Sequence, residues 1–302
     1  MQDISSLVQT GNRKALARMI SWVENDVPGY EKILEEFNFE NTPLIGITGP
    51  PGAGKSTLIN ALAGFWLAQQ KKVAIIAVDP SSPFNQGALM GDRLRMSEHF
   101  LNPNLFIRSM ASRGSLGGLA PKIFEVCDVL RAAKFDYVII ETVGVGQSEV
   151  EIAALADTTA LVLVPEAGDD IQTIKSGVME IADVFVLNKS DREGAAIFEK
   201  NLLSLAHQYA QENWETPVIK TVASQHIGVE ELAQAILKHA ALPIKGGKKV
   251  HLLAQKALLL IKAMRTRDIL IPLLEKELEK ELNNPGFNLY RFIRTYQSSN
   301  QN

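Results

Sequence analysis

The stretch GPPGAGKST, Gly49 to Thr57, fits the pattern G-x-x-x-x-G-K-[ST]. It follows the apolar run LIGIT and opens the helix-like stretch STLINALAGFWLAQQ, which is the setting this pattern needs. Gly49, Gly52 and Gly54, interleaved with Pro50, Pro51 and Ala53, let the backbone curl its N–H groups around a phosphate. Lys55 can neutralise β- and γ-phosphates and Ser56 can offer its hydroxyl to a magnesium ion. The helix N-terminus adds a favourable dipole for an anion.

A second pattern, N-K-x-D, is formed by Asn188, Lys189 and Asp191 at the end of the run VFVLN. A buried carboxylate at Asp191 accepts two hydrogen bonds from the N1–H and 2-amino edge of guanine. Adenine has no such donor pair and would leave the acid unpaired, so the pattern points to GTP rather than ATP. Lys189 is expected to lie along the base. One helix later, Val222, Ala223 and Ser224 sit where GTPases place a backbone N–H against the guanine 6-oxo group, and Ala223 is the expected donor.

The third pattern is an oddity. FDYVIIETVGVGQSE reads as a buried strand that ends in Glu141 and a glycine-rich turn, where a nucleotide hydrolase usually carries aspartate. One extra methylene would let the acid reach a magnesium-bound water from a strand end set further back; local pairing with a basic neighbour is the alternative. Asp79 ends the run VAIIAV beside the phosphate loop and is read as a metal or water contact. Asp92 lies further along the same loop, where such a contact and a plain solvated acid are both open. In Ras-like GTPases a glutamine that orients the attacking water follows the third-box glycine. Here Val145 follows Gly144, and Gln147 is the nearest amide.

These residues need a frame. From Pro43 to Pro243, runs of Val, Ile and Leu alternate with helix-period stretches, which predicts an α/β domain with a doubly wound, mostly parallel sheet. Ligands of such sheets bind beyond the carboxyl ends of the strands, where Gly49, Asp79, Glu141, Pro165 and Asn188 all fall. Residues 1–42 read as an N-terminal helical extension of one or two helices at the sheet's edge, 43–243 as the P-loop domain and 244–302 as a helical arm. In the arm, Val250, Leu253, Ala257, Leu260, Ile261 and Met264 make one apolar stripe, and Pro272 is expected to interrupt or kink the helix. The stripe packs on its own domain or on a second subunit; the second is preferred, because the sheet already reads as complete.

The 302 residues are 46% hydrophobic and carry a net charge of −3, enough for a full core and without the basic excess of a nucleic-acid or anionic-membrane binder. The single cysteine, Cys127, lies in a helix-period stretch and reads as a buried thiol, compatible with a reducing cytosol. Apolar runs are too short to span a bilayer, and the first residues do not form a signal peptide, so a cytoplasmic protein is expected. The five histidines are scattered, which argues against a transition-metal site.

Taken together, GPPGAGKST, AVDPSSP, GDRLRM, SRGSLGGLA, ETVGVGQSE, GDDIQTIKSGVMEIAD and NKSD resemble the MeaB/ArgK family of P-loop GTPases, across nearly the whole chain. Members are associated with cobalamin-dependent methylmalonyl-CoA mutase, and the methylmalonic aciduria type A protein is among them. The resemblance makes Glu141 and Gly144 a class mark, the E-x-x-G of metallochaperone-like GTPases. It implies that Lys55, Ser56 and Thr57 grip phosphates and magnesium. It places Asp79, Asp92 and Glu141 around the metal and gives Asn188, Lys189, Asp191 and Ala223 to the guanine. The segment GDDIQTIKSG resembles the family's extra switch, with Asp170, Gln172 and Lys175 as candidate contacts; Gln147 or Lys175 are candidates to complete hydrolysis. Val222 departs from the serine common in the fifth box. The implied partners are a methylmalonyl-CoA mutase or related acyl-CoA mutase and a second copy of the chain, joined through the arm.

Two rivals remain at this point. A transport-linked kinase for basic amino acids, the older ArgK label, would need a phosphoacceptor or substrate pocket, and no such motif is visible. A nickel metallochaperone GTPase would carry cysteine or histidine ligands.

Overall fold

Short runs rich in Val, Ile and Leu become seven strands in the computed structural model: β1 (Leu44–Thr48), β2 (Val73–Asp79), β3 (Leu105–Ala111), β4 (Tyr137–Glu141), β5 (Thr158–Leu163), β6 (Val184–Asn188) and β7 (Val218–Thr221). All pair in parallel, in the order β3-β2-β4-β1-β5-β6-β7. The structure describes residues 4–39, 41–79, 99, 101–111, 120, 122–142, 148–168, 179–208, 214–242, 254, 257–258, 260–262, 264–266, 269–282 and 286–299.

Helices cover both faces, so the central strands β1, β5 and β6 are buried along their whole length. In β2, Val73 and Ile75 join one core while Ala74, Ile76 and Val78 join the other. The first core packs under α4 (Lys55–Ala68), α7 (Ala195–Gln208) and α8 (Val229–Ala240). The second packs under α5 (Ile123–Ala132) and the helices that precede the sheet. The remaining crossover helix, α6 (Ser148–Leu155), packs beside β1.

The N-terminal region forms three helices, not the one or two expected: α1 (Ile4–Gln9), α2 (Arg13–Glu24) and α3 (Tyr30–Glu35). Asn12 caps α2, its side-chain oxygen accepting from the amides of Lys14 at 3.1 Å and Ala15 at 3.0 Å. The stripe Ala15, Leu16, Met19, Ile20 and Val23 is buried. Lys122 Nζ donates to the Tyr30 hydroxyl at 2.7 Å and lies 3.0 Å from Asp26 Oδ1, tying the start of α3 to that of α5. Burial opposes the Lys122 charge, but the Tyr30 and Asp26 contacts and nearby Glu125 outweigh it and hold its pKa above the ordinary lysine value.

The chain divides into two compact units, Met1–Ile244 and Lys245–Asn302. The second contains α9 (Ile271–Leu282) and α10 (Leu289–Ser299). At Pro272 the helical pattern is interrupted, not kinked. The proline occupies the first turn of α9, where its missing N–H would have no intrahelical partner anyway. Of the expected stripe, Ala257, Ile261 and Met264 are exposed and Leu260 is half-buried, while Val250 and Leu253 lie outside the described residues. No helix among the described residues is long and apolar enough to cross a membrane.

Candidate functional site

The loop between β1 and α4 lies at the carboxyl edge of the sheet's central strand. Two glycines decide its path. Gly49 has φ 142°, and a Cβ there would lie 2.1 Å from the Val162 carbonyl oxygen of β5. Gly54, left-handed at φ 88°, caps α4; a Cβ on it would lie 2.4 Å from Asn188 Nδ2. Between them Ala53 is fully buried, while Pro51 and Gly52 are exposed at the tip.

Helix α4 begins at Lys55, so its first turn opens directly onto this loop. Lys55 is buried and its ammonium donates to the carbonyls of Gly49 at 2.8 Å and Pro50 at 3.2 Å. Ser56, also buried, donates its hydroxyl to Glu141 Oε1 at 2.7 Å. Thr57 is exposed at the start of the helix.

Glu141 ends β4 in register with Ile47, one residue before β1 finishes at Thr48. Its side chain therefore reaches forward from a set-back strand end to meet Ser56. The next residue, Thr142, donates its hydroxyl to Thr48 Oγ1 at 2.9 Å, and both threonines are buried. Asp79 is the last residue of β2, two positions beyond the Ala77 that registers with Glu141. Asp92, Gln147 and Lys175, with Gly144, Val145, Asp170 and Gln172, lie outside the described residues.

The base-side loop is fastened to the phosphate loop by Asn188. Its Nδ2 donates to the Ala53 carbonyl at 2.8 Å. Its Oδ1 accepts from the Thr221 hydroxyl at 3.1 Å and from the Ala223 amide at 3.2 Å. Asn188 is only 2% exposed, so all three bonds are made away from water. Lys189 adopts a left-handed backbone, φ 54°, and its ammonium donates to the Gly52 carbonyl at 2.8 Å. Ser190 N donates to the Thr221 carbonyl at 3.1 Å. Asp191, expected to be buried, is exposed.

The fifth-box turn is closed by a two-way backbone bridge between Val222 and Ile227. Val222 and Ala223 are buried and Ser224 is exposed. The Ala223 amide, expected to meet the base, instead serves Asn188. The site thus joins a glycine-rich anion cradle, a lysine, a hydroxyl–carboxylate pair and an exposed acid on one edge of the sheet.

The family model described as methylmalonyl Co-A mutase-associated GTPase MeaB matches residues 16–277. The chain belongs to the MeaB family of GTPases. GTPase ArgK of Escherichia coli is 33% identical over 305 residues, covering 97% of this chain and 88% of that one. A Pyrococcus abyssi protein is 46% identical over 254 residues, covering 82% of this chain and 78% of its own. The mitochondrial methylmalonic aciduria type A homolog of Caenorhabditis elegans is 38% identical over 208 residues, covering 63% of this chain and 52% of its own. Among solved structures, an LAO/AO transport system kinase is 26% identical with a TM-score of 0.69, covering 99% of this chain and 97% of that one.

In this member of the MeaB family, motif reading missed Thr48, Thr142 and Thr221. Lone threonines carry no spacing signal; only the register of β1, β4, β6 and β7 brings their hydroxyls to the site. Asn188 is the residue on which the site's shape most depends. Replacing it with alanine leaves the Ala53 carbonyl and the Thr221 and Ala223 donors buried without their partner, so Asn188→Ala is expected to destabilise the fold by about 3 kcal/mol. Urea unfolding checks this: a midpoint equal to that of the parent chain would show that the loops hold each other by other means.

Proposed function

We propose that this site binds GTP with a magnesium ion, hydrolyses it to GDP, and signals its nucleotide state to a partner. The partner is a cobalamin-dependent methylmalonyl-CoA mutase or a related acyl-CoA mutase, whose cofactor loading it gates and which it protects. The observation that carries the nucleotide half is Asn188, which binds the N-K-x-D loop to the glycine-rich loop at the Ala53 carbonyl. The mutase half is supported by the family description and by the name of the worm relative.

A hard divalent cation fits the residues present. Ser56 Oγ and Glu141 Oε1 are oxygen donors 2.7 Å apart, buried beside the helix start. Ser56, Glu141 and Asp79 would hold the ion, with Asp92 as a further candidate from sequence. When bound, the ion supplies charge neutralisation on the β- and γ-phosphate oxygens. The chain's own groups do the rest. Lys55 exchanges the carbonyls of Gly49 and Pro50 for phosphate oxygens. The loop amides and the first turn of α4 bind the phosphates. Asp191 accepts from guanine N1–H and the 2-amino group. With the Ala223 amide committed to Asn188, the amide of exposed Ser224 is the candidate for the 6-oxo group.

Asp191→Asn is expected to weaken GDP and GTP binding about a hundredfold, through loss of two charge-assisted hydrogen bonds. The same variant should gain xanthine nucleotides, because the new amide donates to the 2-oxo group. Direct titration decides; equal wild-type affinity for ATP and GTP would count against guanine reading.

Val145 offers the attacking water no side-chain hydrogen bond, so hydrolysis by the isolated chain is expected to be slow. The mutase is expected to raise it about a hundredfold by ordering the missing group. Lys175→Ala should lose this stimulation more than it loses nucleotide affinity. Single-turnover assays with and without the mutase test both points. Fast hydrolysis that ignores the mutase would defeat gating while leaving the GTPase intact.

A second reading, a transport-linked kinase, is favoured by the likeness to the LAO/AO transport system kinase. Label from the γ-phosphate arriving on a protein rather than as free phosphate would select it. The C-terminal helices, with Ile271 and Leu273 exposed, are proposed to pair two copies. A chain ended at Pro243 should then scatter light as a monomer that still binds nucleotide; a surviving dimer would place the interface elsewhere.

A further inference from the structure

The residue after Asp191 makes a long-range contact that the motif does not account for. The Arg192 guanidinium donates to Glu166 Oε1. Glu166 lies on the short 3-10 turn Pro165–Gly168, which follows β5, whereas Arg192 lies in the loop after β6. The contact therefore bridges the ends of two adjacent strands on the nucleotide edge of the sheet. The hydrogen bond from Arg192 holds Glu166 below the usual glutamate range, helped by its own backbone amide and by the Lys189 charge. The pair thus stays ionised from neutral into mildly acidic solution.

The position of this contact matters because of how the turn is held. On the near side of Asp191, Asn188 and Ser190 are bonded to Ala53, Thr221 and Ala223. On the far side, the described backbone bonds are local: Arg192 N to Lys189 O at 3.0 Å and Ala195 N to Arg192 O at 3.3 Å. Asp191 sits exposed between a fastened side and the Arg192–Glu166 contact.

We infer that Glu166 and Arg192 form a positioning pair that fixes the far side of this turn, so that both Asp191 oxygens meet the N1–H and the 2-amino group of guanine together. This rests on the guanine-reading role proposed above for Asp191. The chemistry makes the pair's effect selective. Two parallel hydrogen bonds require the carboxylate plane to match the base plane. A small rotation of the turn keeps one bond and stretches the other, so discrimination by the 2-amino group is lost before general affinity. Both side chains are 50% exposed, so the pair is screened and its effect is modest.

The test compares GDP with inosine diphosphate, which lacks only the 2-amino group, by calorimetric titration of the full chain. Both ligands share the diphosphate, the ribose and the 6-oxo group, so the ratio of their affinities isolates the 2-amino contact. Arg192→Ala and Glu166→Gln are each expected to lower the preference for GDP about threefold to fivefold while leaving inosine diphosphate binding nearly unchanged. The double variant should lose no more than either single, because one interaction is removed in all three. Raising the salt to about 1 M should lower the parent chain's preference towards that of the variants. An unchanged preference in the single variants, equal losses for both ligands, or additive losses in the double variant would each overturn the pairing role. A parent chain that binds GDP no better than inosine diphosphate would instead remove Asp191 as the base reader, and the pair's role with it.

Discussion

A carboxamide can donate and accept at once, and the arrangement of this site depends on Asn188 doing both in a place that water does not reach. Its donor end holds the phosphate loop at Ala53, and its acceptor end holds β7 and the turn that follows at Thr221 and Ala223. Three segments far apart in sequence are thus fixed by one buried side chain. Aspartate would lose the donor, and a hydrophobic residue of similar size would lose all three bonds; each change strands buried polar groups. Gly54 belongs to the same constraint, since any side chain there would occupy the space of the Asn188 amide nitrogen. The glycine of the phosphate pattern and the asparagine of the base pattern are therefore one packing solution, although the sequence displays them as separate motifs.

The glutamate at the end of β4 follows from register. Glu141 pairs with Ile47, so its Cα lies behind the point where the phosphate loop leaves β1. The longer stem covers that distance and places a carboxylate oxygen on Ser56. Burying such an acid is costly unless it is hydrogen-bonded, and the Ser56 hydroxyl supplies one bond to it. The Thr142–Thr48 bond just beyond keeps β4 and β1 from sliding apart at that point. Local pairing of Glu141 with a basic neighbour was the competing reading of the sequence; Ser56 Oγ, a neutral hydroxyl, is the partner that the geometry supplies at Oε1.

The strands and the order of chemistry along the edge were legible because they follow from period and punctuation. Runs such as LIGI and VFVL are without a polar side chain at any position, which only a strand covered on both faces tolerates. The mostly parallel, doubly wound sheet and the family were equally readable. What could not be read was anything set by a backbone hydrogen bond or by the depth of a side chain. Whether the Ala223 amide meets a ligand or Asn188 depends on how the Val222–Ile227 bridge curls the turn, and no residue type announces that. The exposure of Asp191 belongs to the same class. The expectation of a buried acid came from what the base requires, whereas the fold supplies only the edges of the place where the base would lie. Pro272 was legible in part: a proline inside a helical pattern either kinks the helix or interrupts it, and here the pattern is interrupted, with α9 beginning one residue before the proline.

Burial divides the labour at this edge. The contacts that fix where the loops stand, through Asn188, Ser56, Glu141, Thr48 and Thr142, are made by buried groups, where a hydrogen bond resists both water and salt. The groups that would choose among bases and respond to conditions, Asp191, Arg192 and Glu166, are exposed, where each contact is weaker and screened. A GTPase that must exchange its nucleotide needs both properties. If the selecting groups were as deeply fastened as Asn188, ligand exchange would require breaking the frame. If the frame were as exposed as Asp191, the phosphate and base loops would drift relative to each other, and a ligand would have to pay their ordering entropy on every cycle. The placement of the strong bonds behind the site and the weak ones at its mouth lets the loops exchange a ligand without loosening the sheet that carries them.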